Sequence, residues 1–222
     1  MGATTGMREA EILGLRWQNV NLESGTVRVT RELYPLPSGF ERVPDDAIPL
    51  EGHWILMPAK TQSSQRTVRL LAGVVEALRR RRAEQGRERE AAADCWLEHD
   101  LVFTDEIGRS VEPTGFLKRC FHPLLKAAGL PKIRFHDLRH SVATVPLSDP
   151  TVHPASVSAL LGHAQISTTL DVYSHVMTGL ADRAVESLDR QLSGGLEKVM
   201  SSVKSSNQET PKETDPGSDS VN

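Results

Sequence analysis

Cysteine, long apolar runs and excess positive charge are all scarce in this 222-residue sequence. Only two cysteines are present, Cys95 and Cys120, and neither has a partner at metal-ligand spacing. We therefore expect neither a disulfide framework nor a zinc site, and we predict that both thiols are ordinary buried side chains. No run of about 18 apolar residues exists to span a bilayer, and the amino terminus lacks the charged-then-apolar pattern of a secretory signal. These absences favour a cytoplasmic protein without a membrane partner.

The charge balance argues weakly against a nucleic-acid partner, because a dedicated nucleic-acid binder is more often basic. The formal net charge is −3. Residues 201–222 hold two lysines against four acidic residues and thus carry −2, which leaves −1 for the rest of the chain. Positive charge is concentrated at Arg79–Arg82, followed by Arg87 and Arg89. Interleaved glutamates favour a solvated helix face over a phosphate-binding stripe for this run.

The pattern of apolar and turn-forming residues predicts a mostly helical α+β fold with a small antiparallel sheet. Strands are predicted at 26–30, 53–57 and 66–70, the last two forming a hairpin with Lys60 at its bend. Helices are predicted over 7–17, 72–93, 113–128, 136–144, 154–161, 167–175 and 180–191. Pro146 should end the helix at 136–144 early.

Two segments are predicted to lack regular structure. Residues 34–52 contain four prolines and two glycines, too many breakers for a helix or a strand, so we predict a long loop. From Ser193 the chain is rich in Ser, Gly, Lys, Asp and Glu and cannot bury enough apolar surface to order itself. We therefore expect one domain over residues 1–192 and a disordered tail over residues 193–222.

The residues suited to chemistry are a tyrosine, arginines, histidines and a lysine. They occur in four blocks: Thr5–Leu15 (TGMREAEILGL), Pro58–Leu70, His136–His140 (HDLRH), and Leu161–His163 (LGH) with Tyr173 ten residues later. Phosphoryl transfer without a metal ion requires a nucleophile, cations for the charge of the transition state, and an acid for the leaving oxygen. Arginine forks bind phosphate oxygens in two places, and a tyrosine phenol can attack phosphorus when positive charge surrounds it.

In this order, the four blocks resemble the signature of the tyrosine recombinases of the phage integrase type, and the resemblance extends over residues 1 to 192. It implies strand cleavage and rejoining of double-stranded DNA through a 3′-phosphotyrosyl intermediate, in site-specific recombination or integration. By this resemblance the catalytic residues are Arg8, Lys60, His136, Arg139, His163 and Tyr173, supported by Glu11. Neither a cofactor nor a metal ion is implied.

The resemblance also implies a role for each of these side chains. Tyr173 would be the nucleophile, and Arg8 and Arg139 would clamp the scissile phosphate. His136 and His163 would donate hydrogen bonds and assist proton transfer. Lys60 would protonate the leaving 5′ oxygen. Glu11, one helical turn after Arg8, would orient nearby basic groups.

Relatives carry a core-binding domain and a first catalytic helix before the Thr-Gly-Met-Arg block. Four residues precede that block here, so we expect the chain to lack both. Relatives also exchange a carboxy-terminal helix around a tetramer, which implies self-association on DNA through the helix predicted at 180–191.

Each assignment has a plainer alternative. Tyr173 could be a core aromatic residue, and Lys60 could be a solvated lysine. Arg8 and Arg139 could form structural ion pairs with Glu11 and Asp137. A metal site at His136, His140 and His163 is less favoured, because no carboxylate or cysteine completes it and nearby arginines would repel a cation.

Three further functions remain open at this stage: a type IB topoisomerase, a catalytically inactive DNA-binding remnant, and a fragment that folds poorly. The topoisomerase would use similar residues to relax DNA, but the amino-acid sequence from Leu161 to Tyr173 favours the integrase.

Overall fold

The computed structural model describes residues 1–36, 43–59, 61, 64–149, 151–163, 165, 167 and 185. The chain divides into two units, Met1–Val176 and Met177–Asn222, and Val185 is the one described residue of the second. The helices predicted at 167–175 and 180–191 lie outside the described residues except for Ser167 and Val185, each of which is helical. The tail predicted from Ser193 lies outside them entirely.

Helices and strands are largely segregated along the described part of the first unit, as in an α+β fold: two short helices precede six strands, and the remaining helices follow them. The helices are α1 (Gly2–Thr5), α2 (Glu9–Leu13), α3 (Ala72–Ala92), α4 (Pro113–Phe116), α5 (His122–Ala127), α6 (Phe135–Leu147) and α7 (Pro154–Leu161). The strands are β1 (Val20–Asn21), β2 (Thr26–Val29), β3 (Arg31–Pro35), β4 (Ile48–Pro49), β5 (Trp54–Pro58) and β6 (Arg66–Arg69). The predicted mixture of helices with small antiparallel sheets is confirmed.

The strands form two three-stranded antiparallel sheets, ordered β1-β2-β6 and β3-β5-β4. The hairpin predicted between residues 53–57 and 66–70 is therefore wrong. Both strands exist, but β6 pairs with β2 and β5 pairs with β3, which follows β2 after one residue. The reason is burial: Val68 of β6 packs in a core cluster with Val27, whereas Leu56 of β5 packs in another with Leu33.

The predicted loop at 34–52 contains the end of β3 and all of β4, although its prolines argued against a strand. Strand β3 runs to Pro35, and Pro49 lies in β4, which pairs with β5. Both prolines stand at strand ends, where a missing N–H costs least. Residues 37–42 of this segment are not described.

Two prolines, Pro146 and Pro123, lie in helical segments, and Pro146 was expected to end its helix. Helix α6 continues through Pro146 to Leu147, so the predicted early end is wrong. Pro146 lies in the last turn, and Leu147 beyond it is fully buried against α7, which offsets the lost hydrogen bond. Pro123 opens α5 directly after a π-helical turn, Leu117–Phe121, whose wider spacing accommodates the proline ring.

The two cysteines are exposed, which corrects their prediction as buried thiols. Cys95 ends a 3-10 turn after α3, and Cys120 lies in the π-helical turn. Local apolar neighbours in the sequence do not reveal which face of a turn points to solvent.

The basic run lies on α3, where most of its arginines are exposed, as a solvated face predicts. Arg81 differs because it donates hydrogen bonds to the Val102 carbonyl and to Glu88. Among the described residues, no helix is both long and apolar enough to cross a membrane.

Candidate active site

Three chain segments that are distant in sequence converge on one site. The first is the junction of α1 and α2, with Gly6 and Arg8; the second is the first turn of α6, with His136; the third is the end of α7, with His163. Arg8 and His136 both line a cleft of about 270 Å³. Described residues of three predicted blocks therefore lie close together.

Arg139 joins the three segments directly. Its buried guanidinium donates from Nη1 to the Gly6 carbonyl and from Nη2 to the Leu161 carbonyl, each at 2.6 Å. Gly6 has φ +61°, which favours glycine, and a Cβ there would lie 2.4 Å from Leu161 Cδ2, so a larger residue would force the buried Leu161 side chain to move. Two of the five N–H donors of Arg139 are used in this way, and no other described residue accepts a hydrogen bond from the remaining three.

Two arginines of the site donate hydrogen bonds to backbone carbonyls at the end of α7. Gly162 adopts the left-handed conformation, and the backbone N–H groups of Gly162 and His163 both donate to the Ser158 carbonyl. The carbonyls of Leu160 and Leu161 have no partner within the helix, and Arg66 and Arg139 donate to them. The backbone immediately before His163 is thereby fixed by two guanidinium groups.

Glu11 lies at the centre of the arginine cluster and is buried. Its carboxylate accepts two hydrogen bonds from Arg66, at 2.9 and 2.8 Å, one from Arg8 Nη1 at 2.9 Å, and one from the Arg8 backbone N–H at 2.8 Å. Burial acts to raise the pKa of Glu11, but Arg66 and then Arg8 outweigh it and hold this pKa below its ordinary value. Glu11 is thus placed to orient basic groups, as its predicted supporting role requires.

Helix α2 is shorter than the predicted helix at 7–17, and this difference matters for Arg8. Arg8 is the N-cap of α2 with an extended backbone, not a residue inside the helix. The Glu11 side chain caps the Arg8 N–H in the manner of a capping box. The Arg8 side chain is 36% exposed and is therefore accessible to a ligand.

Arg66 and two other residues of this network were not among the predicted site residues. Glu32 is buried on β3 with a carboxylate oxygen 3.6 Å from Arg8 Nη1, and Tyr34 donates its hydroxyl hydrogen to Glu32 at 2.9 Å. A signal existed only for Arg66: β6 alternates buried and exposed positions, and this arginine occupies an inward one beside Val68.

The plainer alternative of an ion pair between Arg139 and Asp137 is wrong. Asp137 pairs instead with Arg134, at 2.8 Å, and caps the start of α6. The Arg8–Glu11 pair exists, but it belongs to the larger cluster with Arg66.

Burial and the positive charge of the site lower the pKa values of its histidines. Burial, together with the charges of Arg139, Arg8 and Arg66, lowers the pKa of His163 to about 4. Burial, and then His140 and Arg139, lower the pKa of His136 below its ordinary value. Burial and the neighbouring Arg8 and Arg66 lower the pKa of Arg139 to about 10. Each of these cationic forms would be stabilised by an anion bound between them.

We expect the melting temperature to fall as the pH is lowered from 7.5 to 5. The ordinary pKa of a histidine is 6.5 and that of folded His163 is about 4, so between these values the unfolded chain binds a proton that the folded chain does not. The stability due to neutral His163 is therefore complete above about pH 6.5 and is lost as the pH falls toward 4. Circular dichroism melts should show a flatter pH dependence for His163→Gln. The exposed His53→Gln is the matched control, and equal slopes in wild type and His163→Gln would contradict the prediction.

Lys60 and Tyr173 lie outside the described residues, so their predicted roles stay predictions. The rings of His136 and His140 are in edge contact, 5.1 Å apart between centroids. Within the described part of the chain, no group of three or more His, Cys, Asp or Glu residues could hold a metal ion.

Comparison with known proteins places these features in a family. The model of the phage integrase family matches residues 2–179. A tyrosine recombinase XerC-like protein of Caldanaerobacter subterraneus subsp. tengcongensis is 33% identical over 188 residues, covering 83% of this chain and 46% of the relative. An integrase of Streptomyces ambofaciens is 32% identical over 179 residues, covering 76% of this chain and 41% of the relative. The chain thus spans about half the length of these curated relatives.

Solved structures share the fold. The Tn1549 transposon integrase in complex with transposon right end DNA has a TM-score of 0.62 at 20% identity, covering 85% of this chain and 56% of that one. The XerH site-specific recombinase bound to a palindromic difH substrate, in a post-cleavage complex, has a TM-score of 0.52 at 24% identity, covering 83% and 42%. Because the family model extends over most of the sequence and ends beyond Tyr173, this chain belongs to the phage integrase family of tyrosine recombinases.

Proposed function

We propose that this chain cleaves and rejoins double-stranded DNA in site-specific recombination, with Tyr173 as the nucleophile. The Tyr173 phenol gives its proton to a neutral histidine of the site as its oxygen attacks the scissile phosphorus, the bond to the 5′ oxygen breaks, and a 3′-phosphotyrosyl link forms. Lys60 gives a proton to the leaving 5′ oxygen. A second 5′-hydroxyl then attacks the phosphotyrosine, which restores the DNA backbone and the phenol, so the phosphoester energy is conserved and no cofactor is consumed.

The cluster of Arg8 and Arg139 beside His136 and His163 carries this proposal. Counting Arg66, three guanidinium groups face two buried carboxylates, Glu11 and Glu32, which leaves one unit of positive charge. A single phosphodiester carries the charge that would balance this excess. Such preorganised donors stabilise the charge that develops on phosphate oxygens in the transition state.

The histidines suit a supporting role in this reaction. With a pKa of about 4, His163 is neutral near pH 7, so one ring nitrogen can donate a hydrogen bond and the other can accept a hydrogen bond or a proton. Arg8, the more exposed of the two phosphate-clamping arginines, is the natural first contact for DNA, and Arg139 lies behind it with three N–H donors that no described residue accepts.

The choice of nucleophile is supported by the second tyrosine of the chain. Only Tyr34 and Tyr173 are present. Tyr34 donates its hydroxyl hydrogen to Glu32, and burial and this carboxylate raise its pKa above the ordinary value. A raised pKa disfavours the phenolate that must attack phosphorus, so Tyr34 is unsuited to the task and Tyr173 is favoured.

The named relatives suggest the biological setting. The Tn1549 integrase and XerH structures contain transposon-end DNA and difH DNA, respectively. We extend a double-stranded DNA partner to this chain, acting in the cytoplasm, with assembly into a tetramer on DNA through the segment predicted at 180–191. Because the curated relatives are about twice as long, grip on DNA by a separate core-binding domain is part of the proposed complete activity.

Covalent trapping tests the proposal. A pool of nicked duplexes with randomised sequence on both sides of the nick is incubated with the 222-residue chain and resolved on a denaturing gel. We expect a protein–DNA adduct that Tyr173→Phe abolishes and Tyr34→Phe retains, and sequencing of the trapped DNA would report the target site. An adduct that survives in Tyr173→Phe would refute the assigned nucleophile. DNA binding without any adduct would identify an inactive DNA-binding protein instead.

A further inference from the structure

Arg66 is more extensively bonded than a structural ion pair requires. Its side chain is 6% exposed, and four of its five N–H donors are used. Nη1 and Nη2 donate to the two Glu11 oxygens, Nε donates to the Leu160 carbonyl at 2.8 Å, and Nη1 also donates to the Ser64 carbonyl at 3.2 Å. An ion pair alone would need only the contact with Glu11.

Each of these partners leads to a group of the proposed active site. Glu11 holds both the side chain and the backbone N–H of Arg8. Leu160 is three residues before His163, and its carbonyl is next to the one that Arg139 holds. Ser64 lies in the segment that connects β5 to β6 and contains Lys60.

The planar guanidinium group donates hydrogen bonds in three fixed directions, toward Glu11, Leu160 and Ser64. The ammonium group of a lysine has no such fixed plane of donors. If Arg66 were lost, Glu11 would keep Arg8 as its one partner among the described residues and would be free to draw it inward, and the Leu160 carbonyl would lose the hydrogen bond from Arg66. Both changes would alter the distance between Arg8 and His163 without removing either.

We propose that Arg66 is a positioning residue of this active site, which holds Arg8, through Glu11, and the end of α7 before His163 in the arrangement that accepts a phosphate. The inference rests on the proposed function. Arg66 itself would touch neither the DNA nor the reacting atoms.

The test compares Arg66→Met and Arg66→Lys with Arg69→Met, a control that removes an exposed arginine from the same strand. For each variant, DNA affinity and the rate of adduct formation at saturating DNA are measured separately. Because a misplacement of about 1 Å costs on the order of 100-fold in rate, we expect this loss for Arg66→Met and roughly a tenfold loss for Arg66→Lys. DNA affinity should change less than about threefold, and Arg69→Met should match wild type.

A double-variant cycle separates positioning from simple weakening. If Arg66 acts through Glu11, adding Glu11→Gln to Arg66→Met should cost far less than the product of the two single effects. Fully multiplicative losses, a wild-type rate in Arg66→Met, or a loss confined to DNA affinity would overturn the proposal. Should Arg66→Met fail to melt cooperatively, Arg66→Lys, which keeps the buried charge, decides by the same criteria.

A measurement that does not depend on catalysis distinguishes failure of this inference from failure of the proposed function. If wild type forms no adduct on the randomised duplexes, the proposed function fails, and NMR titration of His163 then decides on Arg66. Removal of one positive charge and of the Leu160 tether should raise the pKa of His163 in Arg66→Met but not in Arg69→Met. An unchanged His163 titration in Arg66→Met would overturn the positioning role.

Discussion

Replacing Glu11 by glutamine is expected to lower the free energy of unfolding by about 3–5 kcal/mol. Glu11 is buried and accepts hydrogen bonds from both Arg66 and Arg8, and an amide of the same shape would leave the buried Arg66 cation without its counter-ion. The amide would also present N–H groups to guanidinium donors, which cannot accept them. Urea unfolding followed by circular dichroism measures the loss.

The control for Glu11→Gln is Glu76→Gln, because Glu76 forms an i,i+3 pair with Arg79 just as Glu11 does with Arg8. Glu76 and Arg79 are each more than half exposed, so solvent screens their attraction and the change should cost no more than about 1 kcal/mol. Equal losses for the two variants would show that the Glu11 cluster contributes no more than a surface ion pair.

Replacing Arg139 by lysine is expected to reduce the rate of adduct formation at saturating DNA by about 100- to 1,000-fold. Lysine keeps the positive charge, but a single ammonium group cannot donate to Gly6 and Leu161 and still present donors to a phosphate in the same plane. One buried carbonyl would lose its partner, which should also destabilise the fold by about 1–3 kcal/mol. Single-turnover adduct formation and urea unfolding measure the two effects separately.

Arg134→Lys is the matched variant on the same helix. Arg134 is largely exposed and, among the described residues, pairs with Asp137 alone, so this change should leave the melting temperature as in wild type. A wild-type rate and stability for Arg139→Lys would mean that charge alone suffices, and the role assigned to the fork of Arg139 would be wrong.

The elements that the sequence predicted well are those whose signals are local. Helices α3 and α7 have nearly the predicted bounds, because an uninterrupted run of helix-forming residues defines α3, and Pro154 and Gly162 mark the two ends of α7. The strands at 26–29 and 66–69 were likewise found, since alternation is visible in a short window.

The wrong predictions concern elements whose structure depends on packing against residues distant in the sequence. The predicted hairpin failed because β5 and β6 pair with β3 and β2, a choice set by which core cluster each strand buries. Helix α6 passes Pro146 because Leu147 is buried against α7, which no local propensity reveals. The exposure of Cys120 likewise depends on the orientation of a π-helical turn.

Residue identity and order alone indicated the family, through Arg8, His136, Arg139 and His163 within their sequence blocks. The functional groups of the side chains follow from residue identity, so they are known without the structure. The tertiary structure decided how these groups are held, with Arg139 on the carbonyls of Gly6 and Leu161 and Arg66 on Glu11 and Leu160. Every residue offers a backbone carbonyl, and these partners lie 22 to 133 residues away, so no local pattern marks which carbonyl a guanidinium group will reach.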